Sequence, residues 1–90
     1  MDKKIRALQQ CYEEHFGENI QEHCYIEVID GSEVILSANK EGLLLLVGKI
    51  IELCENGLTG VHYHLDEAGM ADKCDKPLII QLTKAPWQSD

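Results

Sequence analysis

Asn39-Lys40-Glu41-Gly42-Leu43-Leu44-Leu45-Leu46-Val47-Gly48-Lys49-Ile50-Ile51-Glu52-Leu53-Cys54-Glu55-Asn56-Gly57 is the stretch on which the fold turns. Asn39 offers a side-chain oxygen to the orphan N–H groups of a first helical turn, Glu41 puts an acid at the positive end of the dipole, and Asn56-Gly57 is a stop. Between them Leu43, Leu46, Val47, Ile50, Ile51 and Cys54 recur at helical spacing and predict a buried stripe. Gly48 sits mid-helix, where glycine costs about 1 kcal/mol relative to alanine, so a first helix or a strand is expected to pack closely against it. Leu43 to Leu46 reads as core, although Leu44 and Leu45 cannot both face a sheet; one of them is expected to meet an N-terminal helix.

Upstream, Cys24 to Ile29 and Glu33 to Ser37 are β-branched runs divided by Asp30-Gly31-Ser32, which predicts a β-hairpin. Before it, Ile5, Leu8, Tyr12 and Phe16 recur at spacings of three and four from Asp2 to Phe16, with Gly17 beyond: an amphipathic helix with a C′ glycine. Downstream, Val61 to Leu65 and Leu78 to Lys84 read as strands joined by a polar loop, and Ala85 to Asp90 as an irregular tail with Trp87 folded back. The order α-β-β-α-β-β suits an α+β two-layer sandwich, in which a four-stranded, mostly antiparallel sheet carries both helices on one face. Alternation assigns Ile26, Val28, Val34, Leu36, Val61, Tyr63, Leu65, Leu78, Ile80 and Leu82 to the core.

The chain has 90 residues and a mass of 10.2 kDa, the size of a single domain spanning 1–90, and its 44% apolar and 27% charged residues suit a soluble globular module. A core this small leaves no room for a large cofactor, and none is expected. Sixteen acids against eight bases give a net charge of −8. No Lys or Arg occurs from Ala7 to Asn39 or from Ile50 to Asp72. Such a field repels phosphate backbones, excluding nucleic acid as a direct partner, while attracting basic protein surfaces. Cys11, Cys24, Cys54 and Cys74 form no CxxC pair and read as reduced thiols. The N-terminal residues lack an apolar signal core and the longest apolar run, Leu43 to Val47, is far too short for a bilayer, so no membrane association and a cytoplasmic location are expected.

The sheet face opposite the core set holds Tyr25, Glu27, Ile29, Glu33, Ile35, Ser37, His62, His64, Asp66, Ile79, Gln81 and Thr83, a mixture typical of moderately polar protein interfaces. Within it, His62-x-His64-x-Asp66 has metal-ligand character, because imidazole and carboxylate are good zinc donors. Residues two apart on a strand are about 6.5–7 Å apart, so a site would need further donors from other strands, such as Glu27 or Cys74. No metal is assigned. Nor is any catalytic residue: no local motif marks a cysteine nucleophile, and the glycines form no phosphate loop.

Glu41-Gly42-Leu43 opening an aliphatic helix, the exit at Gly57 to Gly60, the strand Gly60-Val61-His62-Tyr63-His64-Leu65-Asp66 and the closing Pro77-Leu78-Ile79-Ile80 together resemble a family of small bacterial immunity proteins, the cytoplasmic antidotes of polymorphic and contact-dependent toxin systems. The resemblance covers Tyr25 to Lys84 and leaves out the N-terminal helix. It implies a protein that is not an enzyme and that binds and neutralises a cognate toxin. Many toxins of such systems are nucleases with basic clefts, against which acidic side chains can stand in for phosphates. Tyr25 is then the expected aromatic anchor, with Glu27, Glu33, His62, His64 and Asp66 as polar contacts. A metal- or ligand-binding domain built on the HxHxD strand is the second reading. The third is a homo-oligomer, such as a homodimer, that buries Ile29, Ile35 and Ile79.

Overall fold

The computed structural model describes residues 3–16 and 22–88. Helix α1 (Lys3–Phe16) is followed by β1 (Ile26–Asp30), β2 (Val34–Ala38), helix α2 (Lys40–Asn56), β3 (His62–Leu65), β4 (Lys73–Cys74) and β5 (Leu78–Gln81). The expected helices and hairpin are present. Asp2 and the Gly17 stop lie outside the described residues.

Asn39 does more than cap α2. Its side-chain oxygen accepts from the Gly42 N–H at 2.7 Å and from the Tyr25 N–H at 2.9 Å, while its amide donates to the His23 carbonyl at 2.7 Å. One residue thereby seats the helix start on the entry to β1. Gly57 closes α2 in the left-handed conformation, its N–H returning to the Leu53 carbonyl.

The single four-stranded sheet expected from the sequence is replaced by two sheets. One has three strands in the order β2-β1-β4 and the other is the antiparallel ribbon β3-β5. β1 and β2 pair antiparallel without a bulge, from Ile26 opposite Ala38 to Asp30 opposite Val34. The difference arises in the polar loop after β3, where Lys73 and Cys74 pair parallel to Glu27 and Val28. Two aspartates fasten this short strand. The Asp72 N–H donates to the Ile26 carbonyl and the Asp72 carboxylate accepts the Ile26 N–H; Asp75 treats the Val28 carbonyl and the Asp30 N–H in the same way. Side chains here take over ladder bonds that strand propensity would not predict.

Ile26, Val28 and Leu65 are fully buried and form the core with Leu45, Leu46 and Ala71. Val61, Tyr63, Leu78, Ile80 and Leu82 are half-buried. Val34 and Leu36, expected in the core, are 50% and 37% exposed, because the buried cluster gathers Leu45 and Leu46 of α2 around Ile26 and Val28 of β1 and takes in neither of them. The α2 stripe also differs: Leu45, Leu46, Ile51 and Leu53 are buried, whereas Leu43, Val47, Ile50 and Cys54 are exposed. On α1, Ile5 and Tyr12 are half-buried but Leu8 and Phe16 are exposed.

α1 docks principally on α2. The Tyr12 ring occupies the notch at Gly48, where an added Cβ would lie 2.5 Å from the ring carbons. The Tyr12 hydroxyl donates to the Leu44 carbonyl at 2.8 Å, and burial, with the Glu52 carboxylate nearby, pushes this phenol's pKa up. The close packing expected at Gly48 and the division of Leu44 from Leu45 are both explained by this docking. Trp87, expected to fold back, is 86% exposed. It stands on a turn closed by the Gln88 N–H to the Ala85 carbonyl and the Ala85 N–H to Gln88 Oε1.

Tyr63 tethers the β3-β5 ribbon to α2 by donating its hydroxyl to Glu52, while the Lys49 ammonium lies 5.2 Å from the ring centroid. The bond to the Glu52 carboxylate, with desolvation, raises the Tyr63 pKa from 10.0 to about 12. The folded chain thus holds this proton more tightly than the unfolded chain. The stabilisation is complete below pH 10 and is lost as pH climbs toward about 12. Absorbance titration at high pH should show one phenol later than the other two, and Tyr63→Phe should remove it and flatten the stability loss over that window. A wild-type chain in which every tyrosine titrates near the ordinary value would refute the tether.

Candidate protein-docking face

The six residues singled out on the sequence fall into two groups. Tyr25, Glu27 and Glu33 belong to the β1-β2 hairpin and its approach. Tyr25 is exposed and donates its hydroxyl to Glu27 Oε2 at 2.8 Å, and this bond is the first cause of a raised phenol pKa. Both side chains stand on the sheet face opposite buried Ile26 and Val28, as alternation requires. Glu33 lies in the hairpin turn, exposed, and its carbonyl accepts the Gly31 N–H.

His62, His64 and Asp66 belong to the other sheet. Both imidazoles are exposed on the face away from Leu65, with ring centroids 4.9 Å apart in an edge-on arrangement. His62 Nδ1 is 2.9 Å from the Gly60 carbonyl, which commits one ring nitrogen as a donor. Asp66 lies past the end of β3, half-buried, with its carbonyl accepting the N–H groups of Gly69 and Ala71. Among the described residues no hydrogen bond, ring contact or ion pair joins this trio to Tyr25, Glu27 and Glu33.

The geometry bears on the metal reading. Among the described residues no three His, Cys, Asp or Glu side chains are grouped so that they could hold a metal ion. Glu27 is tied to Tyr25, and the half-buried Cys74 directs its Sγ at the Leu65 carbonyl at 3.5 Å. The two further donors named for a site with His62 and His64 are therefore engaged elsewhere. The four cysteines are free thiols. What remains is two separate surface groups, Tyr25 with Glu27 on the hairpin and His62 with His64 on the β3-β5 ribbon.

A family model for Immunity protein 32 matches residues 33–83, more than half of the 90. The chain belongs to the Immunity protein 32 family. The match to this immunity-protein family runs from the hairpin turn through α2 and β3 to the residues just after β5, taking in Glu33, His62, His64 and Asp66. Tyr25, Glu27 and the whole of α1 lie outside it. No curated protein and no solved structure matches the chain significantly. Among the described residues no helix is long and apolar enough to cross a membrane.

Sequence reasoning missed the exposure of Val34 and Leu36, on the helix side of the hairpin sheet, and of Leu43, Val47 and Ile50 on α2. A signal was present. Five consecutive apolar residues, Leu43 to Val47, sweep more than a full turn at about 100° each, so one covering layer cannot bury them all.

Proposed function

We propose that this immunity protein binds a cognate bacterial toxin domain, a nuclease with a basic cleft, and neutralises it in the cytoplasm of a cell carrying a polymorphic or contact-dependent toxin system. It acts by binding and not by turnover. Family membership carries this reading, and the net charge of −8 supports the choice of a basic partner. Acids spread over long base-free windows accelerate encounter with a basic cleft and disfavour neutral partners. The Tyr25–Glu27 pair supplies an aromatic anchor already held in one rotamer by its hydrogen bond, so less side-chain entropy is lost on docking. Glu33, His62 and His64 widen the contact, and Asp66 lies at its margin.

Copurification with the toxin encoded by the neighbouring gene tests the reading. A stoichiometric complex that weakens as salt is raised is expected. Tyr25→Ala should weaken it by about 30-fold or more, the loss of one central anchor, while leaving the fold intact. A complex indifferent both to salt and to Tyr25→Ala combined with Glu27→Gln and His62→Ala would move the toxin to another face.

A further inference from the structure

Among the described residues the outer edge of β2 pairs with no strand, and its features invite one. The carbonyls of Ile26 and Val28 and the N–H groups of Ile26 and Asp30 all turn toward Asp72 and Asp75. Glu27 and Ile29 therefore address β2, through Ser37 and Ile35. By the same alternation the backbone groups of Val34, Leu36 and Ala38 point outward. The opposite edge ends in the two-residue β4, but this one carries no proline, no bulge and no charge within Val34–Ala38, so it lacks the usual protection of edge strands.

The apolar surface continues from the strand to the helix. Val34 and Leu36 share the helix-covered side of the sheet with Val28 and Ile26, yet both are exposed. On α2, Leu43, Val47, Ile50 and Cys54 fall within a sector about 60° wide. Gly48, which receives Tyr12, and Glu52, which reaches Tyr63, lie one turn apart on the other side of the helix. Leu43, Val47 and Ile50 are left 50%, 43% and 44% exposed, while Cys54 lies nearer α1, lining a cavity with Ile5 and Leu82.

We propose that a second copy of this chain pairs with β2, antiparallel and related by a two-fold axis through Leu36. In this register Leu36 faces its own counterpart and Val34 faces Ala38, so outward backbone groups meet outward backbone groups. The charges at the strand ends select this occupant. Glu33 precedes the strand and Lys40, the first base after the window Ala7 to Asn39, follows it; both are exposed and neither forms an ion pair among the described residues. Antiparallel pairing brings the Glu33 end of each copy to the Lys40 end of the other. The bare sectors of the two α2 helices then flank one continuous six-stranded sheet. Tyr25 and Glu27 stay uncovered on its far side, so the dimer presents the toxin face twice.

Sedimentation velocity on the full chain, from low micromolar to several hundred micromolar, tests this without any toxin. Wild type should reach twice 10.2 kDa. Val47→Glu and Leu36→Lys, at positions already exposed, should each weaken dimerisation at least about tenfold while circular dichroism and Tm stay unchanged. Glu33→Lys should weaken it, and Glu33→Lys combined with Lys40→Glu should restore it, as only a two-fold antiparallel pairing requires. A wild type that remains monomeric throughout overturns the proposal, as does a dimer indifferent to Val47→Glu and Leu36→Lys. A monomer whose toxin affinity falls with Leu36→Lys overturns it too and gives the edge to the toxin.

Discussion

Leu65→Ala is expected to lower the unfolding free energy by about 3 kcal/mol, at the middle of the range for truncating a fully enclosed aliphatic side chain. The effect is large for this chain because Ile26, Val28 and Leu65 are its only large side chains with no exposure among the described residues. Leu65 stands at the end of β3 and enters the same cluster as Ile26 and Val28 of β1. Its carbonyl also receives the Cys74 thiol of β4. It is the point at which two sheets, not joined by a ladder, share one core. A domain of this length has about 5–10 kcal/mol in total, so the loss should shift the urea midpoint by a large fraction and loosen the β3-β5 ribbon first. Urea unfolding with hydrogen exchange on β3 and β5 measures both. A midpoint unchanged from wild type would mean that the ribbon is not anchored through this residue.

Gly42→Val should cost about 3 kcal/mol and also reduce toxin binding. An added Cβ at Gly42 would lie 2.5 Å from the Tyr25 carbonyl oxygen and 3.0 Å from both Ala38 Cβ and Ile26 Cγ1. The nearest atom is backbone, so relief requires α2 to lift from the hairpin, and the gain in helix propensity over glycine, under about 1 kcal/mol, cannot offset it. The atoms that must yield belong to the residue that carries the proposed aromatic anchor. Thermal unfolding and a toxin-binding isotherm should therefore fall together. A variant with wild-type Tm would show that α2 does not seat on the β1 entry, and one destabilised with toxin affinity intact would separate Tyr25 from the docking surface.

The candidate face was legible where chemistry follows alternation. The outward placement of Tyr25 and Glu27, and of His62 and His64, came from period two along each strand, and the structure keeps each pair together. That the hairpin residues and the histidines belong to different sheets was not legible. It depends on Asp72 and Asp75, whose carboxylates bond to β1 from 45 or 46 residues away.

The sequence by itself determined the two helices, the Asp-Gly hairpin, the close approach at Gly48 and the acidic character, because each is set by neighbours within a turn or two of chain or by composition. Only the tertiary structure decided which apolar residues are buried. Periodicity says that a helix has an apolar side, but burial requires a partner on that side. The partners available to α2 are β1, the Tyr63 ribbon and the Tyr12 ring. They claim Leu46, Leu45 and Gly48 and leave Leu43, Val47, Ile50 and the β2 edge to water or to another chain.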